Sequence, residues 1–233
     1  MKAMILAAGL GERMRPLTDI TPKPLLEVSG KPLIHYHLEG LAAAGVEEVV
    51  INTCHLAEQL ESNIGTGQLW GLNVQYSRES EPLETAGGII KALPMLGNDP
   101  FIIVNGDIWT DYPFEQLLNQ SVCESCLAHL VMIDNPLQHA QGDFYLTDEG
   151  MLYDRAGEGA KAKTYAGIGV YTPAFFDVAA CLEGDVGGKL PLRPLLLKAI
   201  KAKQLSAEYF SGKWVDVGTP ERLRQLNETL EVL

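Results

Sequence analysis

The chain has 233 residues, 46% of them hydrophobic, and a formal net charge of −12 at pH 7. That is enough apolar sequence for a full core in one main domain, while the acidic balance opposes phosphodiester backbones and anionic lipid unless a local basic patch intervenes. No run of Lys or Arg supplies such a patch, and the first apolar stretch, Ala3 to Ala8, is far too short to span a bilayer and lacks a signal-peptide layout; a cytoplasmic protein without nucleic-acid or membrane partners is expected.

MKAMILAAG opens the chain as a continuously apolar run, the pattern of a strand covered on both faces. After a glycine-rich loop, a helix is predicted over Pro32 to Ala44, where Leu33, Leu38 and Leu41 recur near helical spacing and Gly45 stands where a helix stops. Val49 to Asn52 reads as a second strand, Leu56 to Ile64 as a helix and NVQYS, from Asn73, as a third strand. A helical stretch across Ile89 to Leu93 and a fourth strand in FIIVNGD, from Phe101, follow. Such alternations, joined by right-handed crossovers, predict an α/β, doubly wound sheet with its ligand crevice at the carboxyl ends of the strands. Beyond Leu127 the rhythm changes to a hairpin around Asp148, Glu149 and Gly150 and a strand over Thr164 to Tyr171. A helical stretch around Leu195 to Lys203, a strand at Lys213 to Val217 and a helix with Thr219 as N-cap and Pro220 in its first turn close the chain.

Cys54, Cys123, Cys126 and Cys181 are too few and too scattered for a disulfide framework. Cys123 and Cys126 form a C-x-x-C that lacks the second pair of a zinc ribbon and the strand-then-helix setting of a redox site, so inert thiols are expected.

The loop from Gly9 to Pro16 fails two phosphate-binding patterns: Met14 stands where a dinucleotide fingerprint needs a third glycine, and Arg13, Met14 and Arg15 replace the G-K-[ST] of a P-loop. Two glycines still let backbone N–H groups approach an anion, with two arginines near to neutralise it; a tight strand-to-loop turn is the alternative. Lys23, between Pro22 and Pro24, is expected in a stiff extended segment, as a fixed point charge or an ordinary solvated lysine. Asn105, Gly106 and Asp107 end the fourth strand as a turn or as a metal-binding end. Asp216 lies between apolar residues on a late strand, where a charge is costly unless a cation pairs with it. Asp107 and Asp216 together would suffice for Mg²⁺, which commonly takes one or two carboxylates plus phosphate oxygens and waters. His35 and His37, two apart on a predicted helix, cannot share a face and are assigned to solvent or core.

L-A-A-G-x-G-x-R-x-x-P-L-T over Leu6 to Thr18, P-K-P at Pro22 to Pro24, Val104 to Asp107 and Trp214 to Thr219 resemble, in the same order, the sugar-1-phosphate nucleotidyltransferases. The resemblance implies a Rossmann-like mixed sheet of the nucleotide-diphospho-sugar transferase type in a single domain, 1–233. Its nucleotide-binding part would cover about 1–126 and a smaller β-rich, sugar- and metal-binding part about 127–233. It implies that Arg13 grips the β- and γ-phosphates, that Lys23 bridges the sugar phosphate and the α-phosphate, and that Leu6, Ala8, Gly9 and Gly11 lie against the nucleotide. Base recognition would lie at Glu79 to Gly88, including Thr85 and Gly87, with Glu84 replacing the usual glycine. A carboxylate at Glu79 could accept from the N3–H of uracil or thymine, or equally from the N1–H of guanine. Asn105, Gly142, Asp143 and Gly167 match sugar-binding positions, although the usual E-K-P is missing and Tyr165 stands where asparagine is common. Asp107 and Asp216 match the Mg²⁺ ligands.

Pro82 to Thr85, Asn105 to Tyr112 and Gln141 to Phe144 resemble the branch that joins UTP to N-acetylmuramate α-1-phosphate in cell-wall recycling. Guanylyl transfer to mannose 1-phosphate and thymidylyl or uridylyl transfer to glucose 1-phosphate are the neighbouring readings. A non-catalytic nucleotide-sugar sensor is the reading from another class, and the presence of Arg13, Lys23, Asp107 and Asp216 argues against it.

Overall fold

The structure is a computed structural model that describes residues 1–119, 125–157, 159–177 and 188–231. Lys2–Leu6 forms β1, and three 3₁₀ turns lead through the ribbon of β2 (Glu27–Val28) and β3 (Lys31–Pro32) into helix α1 (Leu33–Ala43). β4 (Glu48–Thr53), α2 (Ala57–Ile64), β5 (Asn73–Arg78), α3 (Glu84–Leu96) and β6 (Phe101–Asn105) continue the alternation. Then come β7 (Ile108–Thr110), α4 (Glu115–Asn119), β8 (Ala128–Ile133), β9 (Phe144–Leu146), β10 (Leu152–Tyr153) and β11 (Lys161–Tyr171). The last elements are α5 (Ala174–Asp177), α6 (Arg193–Lys201), β12 (Leu205–Tyr209), β13 (Trp214–Asp216) and α7 (Pro220–Glu231).

A nine-stranded sheet runs β10-β9-β11-β6-β1-β4-β5, with β8 pairing β11 and β12. β1, β4, β5 and β6 are parallel and β11 runs antiparallel to β6, so the sheet is mixed, as the resemblance implied. β8 to β12, after Leu127, extend this same sheet, whereas β13 pairs with β7 in a separate two-stranded ribbon. Period-two alternation splits the central strands between two cores: Met4, Phe101 and Ile103 pack with Ile89, Ala92 and Leu196. Ala3, Ile5, Ile102 and Val104 point the other way, onto Ile34, Leu38 and Leu60. All seven of these strand side chains are fully buried, which explains the unbroken apolar runs; each contributes on the order of 1.5–3 kcal/mol where it is a large aliphatic or aromatic group.

Besides the short elements β2, β3, β7, α4 and α5, which were not predicted, α3, β8 and β12 differ from expectation. α3 begins five residues before the predicted Ile89 and extends beyond Leu93, because its first turn is secured by Ala86 and Gly87 N–H groups donating to Leu190 O rather than by a periodic pattern. β8 and β12 were not assigned as strands: an unbroken apolar run does not separate strand from buried helix, and their pairing with each other decides it. Cys126 is disulfide-bonded, which corrects the expectation of inert thiols there, while Cys54 is free; Cys123 and Cys181 lie outside the described residues. No helix among the described residues is long and apolar enough to cross a membrane.

β1 is the point where the winding reverses: the chain passes to β4 and β5 on one side and returns to β6 on the other. The register sets Leu6 opposite Asn52 in β4 and opposite Asn105 in β6. Loops leaving these three strand ends diverge, and a crevice opens between them.

Candidate active site

A cavity of about 580 Å³ occupies that crevice, walled by the 6–14 loop, Lys23, Asn52, Glu79, the 82–85 turn, Asn105 to Asp107 and Gly218. The loop is shaped by its glycines. No atom beyond its chain neighbours stands within 4 Å of a Cβ placed on Gly9, so its backbone is bare toward the cavity. Gly11 has φ 64°, and a Cβ there would meet Thr18 Cγ2 at 2.8 Å, while Thr18 Oγ1 donates to Gly11 O at 2.8 Å. This turn carries exposed Arg13 to the cavity; Arg15 stands outside the lining and pairs with Asp19 at 3.4 Å.

Asn52 ties the walls together. Ala7 N donates to its Oδ1 at 2.8 Å, its Nδ2 donates to Glu79 Oε1 at 2.7 Å, and Leu83 N donates to Glu79 Oε2 at 3.0 Å. Asn52 and Glu79 are both buried, so each of these polar groups is costly if left unpaired. Sequence reasoning did not single out Asn52; the signal was a polar residue ending the apolar strand VVIN. Gly88 permits the contact, since a Cβ there would lie 2.6 Å from Glu79 Oε1. Glu84 and Thr85 line the cavity, and Glu84 takes φ 61°, the left-handed region that suits the glycine it replaces. Gly87 is not part of the lining: its N–H donates to Leu190 O at 3.1 Å and a Cβ would meet Gly188 O at 2.9 Å, so it serves close packing.

Lys23 Nζ pairs with Asp107 Oδ2 at 2.8 Å, its side chain 11% exposed. Pro22 is extended, but Lys23 opens a 3₁₀ turn to Leu25, so the segment is stiff without being extended throughout as expected. β13 lies antiparallel to β7 with Asp216 opposite Ile108, and Val217 N donates to Asp107 O at 2.9 Å, which brings the two aspartates to neighbouring strand ends; Asp107 lines the cavity, whereas Asp216 stands outside the lining, next but one to lining Gly218. Asp216 Oδ2 accepts from Arg222 Nη1, a partner the sequence reading did not identify. Among the described residues no group of three or more His, Cys, Asp or Glu could hold a metal by itself. Two neighbouring carboxylates suit an ion whose remaining ligands come from substrate and water.

On the acceptor side, Asn105 lines the cavity and packs on Gly167, which has φ 74° within a bulge of β11; a Cβ at Gly167 would lie 2.5 Å from Asn105 Nδ2. Gly142 and Asp143 stand outside the lining. Asp143 accepts from Tyr165 N at 3.0 Å and pairs with Arg193 at 3.3 Å, and a Cβ on Gly142 would meet Asn135 Oδ1 at 2.5 Å. These two residues hold the β9–β11 junction. Tyr165, in the place of the common asparagine, sends its hydroxyl to that of buried Tyr171 at 2.9 Å.

His37 falls in the core and His35 is half-buried on the same helix, within the solvent-or-core placement expected. His35 packs against Trp70 with ring centroids 4.8 Å apart. Burial drives the pKa of His37 down to about 4, against the opposing effects of a hydrogen bond to the Ile108 backbone and the charge of Asp107.

Residues 2–232 match the Nucleotidyl transferase family. The chain is 45% identical over 228 residues to the N-acetylmuramate alpha-1-phosphate uridylyltransferase of Neisseria meningitidis serogroup B, covering 97% of this chain and 96% of that protein. It is 31% identical over 237 residues to the mannose-1-phosphate guanyltransferase of Gibberella zeae, covering 95% of this chain but 62% of that protein. A solved UDP-glucose pyrophosphorylase, complexed with UDP-glucose, shares the fold with a TM-score of 0.80 at 22% identity, over 99% of this chain and 98% of that one. The cavity's bare glycine loop and its lysine–aspartate pair thus sit in a chain matched from end to end, and the chain belongs to the nucleotidyl transferase family.

Proposed function

We propose that the protein transfers UMP from UTP to N-acetylmuramate α-1-phosphate, giving a UDP-sugar and pyrophosphate in peptidoglycan recycling. The carrying observation is the Lys23–Asp107 pair at the cavity, facing the glycine loop and Arg13. The identity of 45% over nearly the full length of a uridylyltransferase for this sugar supports the choice of substrates.

In this reading an oxygen of the sugar phosphate attacks the α-phosphorus in line; the new O–P bond forms as the bond to the β-phosphate oxygen breaks. The nucleophile is already an anion, so no general base is needed, and the barrier lies in bringing two anions together. Lys23, held by Asp107, places a fixed cation between them, and Arg13 neutralises charge growing on pyrophosphate. Asp107 and Asp216 would hold Mg²⁺, which supplies further neutralisation and a template for the phosphates when bound. Glu79 keeps lone-pair sites beyond the two used by Asn52 and Leu83, and one of them would accept the uracil N3–H.

A grid of UTP, dTTP, GTP, CTP and ATP against several sugar 1-phosphates, read as pyrophosphate, tests the reading. UTP with N-acetylmuramate 1-phosphate should give the highest kcat/KM, with some use of dTTP because one methyl group discriminates by only about 1–3 kcal/mol. If mannose 1-phosphate with GTP, or glucose 1-phosphate with UTP or dTTP, outran it about tenfold, the substrate assignment would be wrong while nucleotidyl transfer stood.

A further inference from the structure

Arg222 is a cation in the first turn of α7, where the helix dipole disfavours positive charge unless anions surround it. Its side chain is 17% exposed and is held in one orientation. Its N–H and Nε donate to Thr219 Oγ1 at 3.3 and 3.4 Å, and Nη1 donates to Asp216 Oδ2. Among the described residues Nη2 has no hydrogen bond partner. It lies over Gly218: a Cβ placed on that glycine would be 2.6 Å from Nη2 and 2.8 Å from Asp216 Oδ1. Gly218 lines the cavity. The unused edge of the guanidinium and the unused oxygen of the carboxylate therefore flank the same cavity-lining glycine, one suited to an anion and the other to a cation.

We propose that Arg222, through Nη2, receives an anionic group of the acceptor substrate beside the Asp216 end of the site. A planar guanidinium can keep Asp216 with one nitrogen while donating to a second oxyanion with another, which a lysine point charge cannot do in the same geometry. The anion is an oxygen of the sugar phosphate or of a carboxylate carried by the sugar. This inference rests on the nucleotidyl-transfer reading of the cavity, but not on which sugar is used.

The test compares the wild-type protein with Arg222→Gln and Arg222→Lys. Calorimetry first measures binding of a Mn²⁺ complex of a non-hydrolysable UTP analogue, and then binding of two acceptors to that ternary complex. The acceptors are N-acetylmuramate 1-phosphate and N-acetylglucosamine 1-phosphate, which lacks the lactyl acid. Arg222→Gln should weaken acceptor binding at least tenfold and leave metal–nucleotide binding unchanged or tighter. Arg222→Lys should lose several-fold and fold normally by circular dichroism. Equal losses for both acceptors assign the anion to the phosphate, and a loss confined to the muramate assigns it to the carboxylate. Unchanged acceptor binding overturns the proposal, as does a parallel fall in metal–nucleotide affinity, which would make Arg222 a brace for Asp216 alone. Because binding is read without turnover, failure of the substrate grid and failure of this assignment remain distinguishable.

Discussion

The two aspartates occupy neighbouring strand ends and each has a cation, but the pairs are built differently. Asp107 is met by Lys23, 84 positions earlier, across the cavity; Asp216 is met by Arg222, six positions later, across one turn. The first pair exists only when the whole doubly wound half has assembled, whereas the second forms wherever the β13–α7 connection forms. Long-range pairing fixes the distance between loop and strand end, and local pairing fixes the orientation of one carboxylate.

Asparagine at either position should have the largest effect, a fall in turnover of about 100-fold or more with little change in volume. Pyrophosphate release in excess Mg²⁺, with circular dichroism as the fold control, reads it, and near-normal rates in both variants would exclude the metal assignment. The Asp107 side also carries buried His37, whose folded pKa of about 4 lies below the unfolded value of 6.5. The unfolded chain binds the extra proton between those values, so the stability contributed by neutral His37 is present above 6.5 and is lost as pH falls toward 4. Urea unfolding should show about 2 kcal/mol lost between pH 7.5 and 5 from this group, and His37→Gln should flatten the slope; an unaltered slope would assign the acid sensitivity elsewhere.

Lys23→Ala should weaken sugar-phosphate binding about tenfold, near 1.4 kcal/mol, and triphosphate binding much less. Calorimetric titration of each ligand decides it, and a selective loss of triphosphate binding would move Lys23 to the other substrate. The smallest change is expected at Glu84, whose φ of 61° suits glycine better. Glu84→Gly should be stabilising by roughly 0.5–1 kcal/mol in urea, once strain is weighed against the added freedom of the unfolded chain. Destabilisation would mean that the side chain makes a contact worth more than its strain.

Most of the candidate site was legible because its residues sit in short, rigid, local patterns. Gly9 and Gly11 with Arg13, Lys23 between prolines, and Asp107 just past a buried strand all reach the cavity wall. The acceptor side was less legible. Gly142 and Asp143 match a family pattern, yet they are engaged with Asn135, Tyr165 and Arg193, because the β9–β11 junction places them outside the lining. Asn52 and Arg222 were not identified: a polar residue closing an apolar strand is a weak signal, and an arginine in a first helical turn acquires its meaning only when its partners come into place.

By itself the sequence determined the alternation of buried strands and helices, the turn conformation that Gly11 permits and the positions of the charges, because these depend on periodicity and backbone sterics within a few residues. Tertiary structure decided which charges meet. That Glu79 meets Asn52, that Arg13 rather than Arg15 lines the cavity, and which edge of Arg222 faces Gly218 depend on strand register and on groups far apart in the chain. Such pairings are set by desolvation and hydrogen-bond geometry that exist only after the sheet has closed around them.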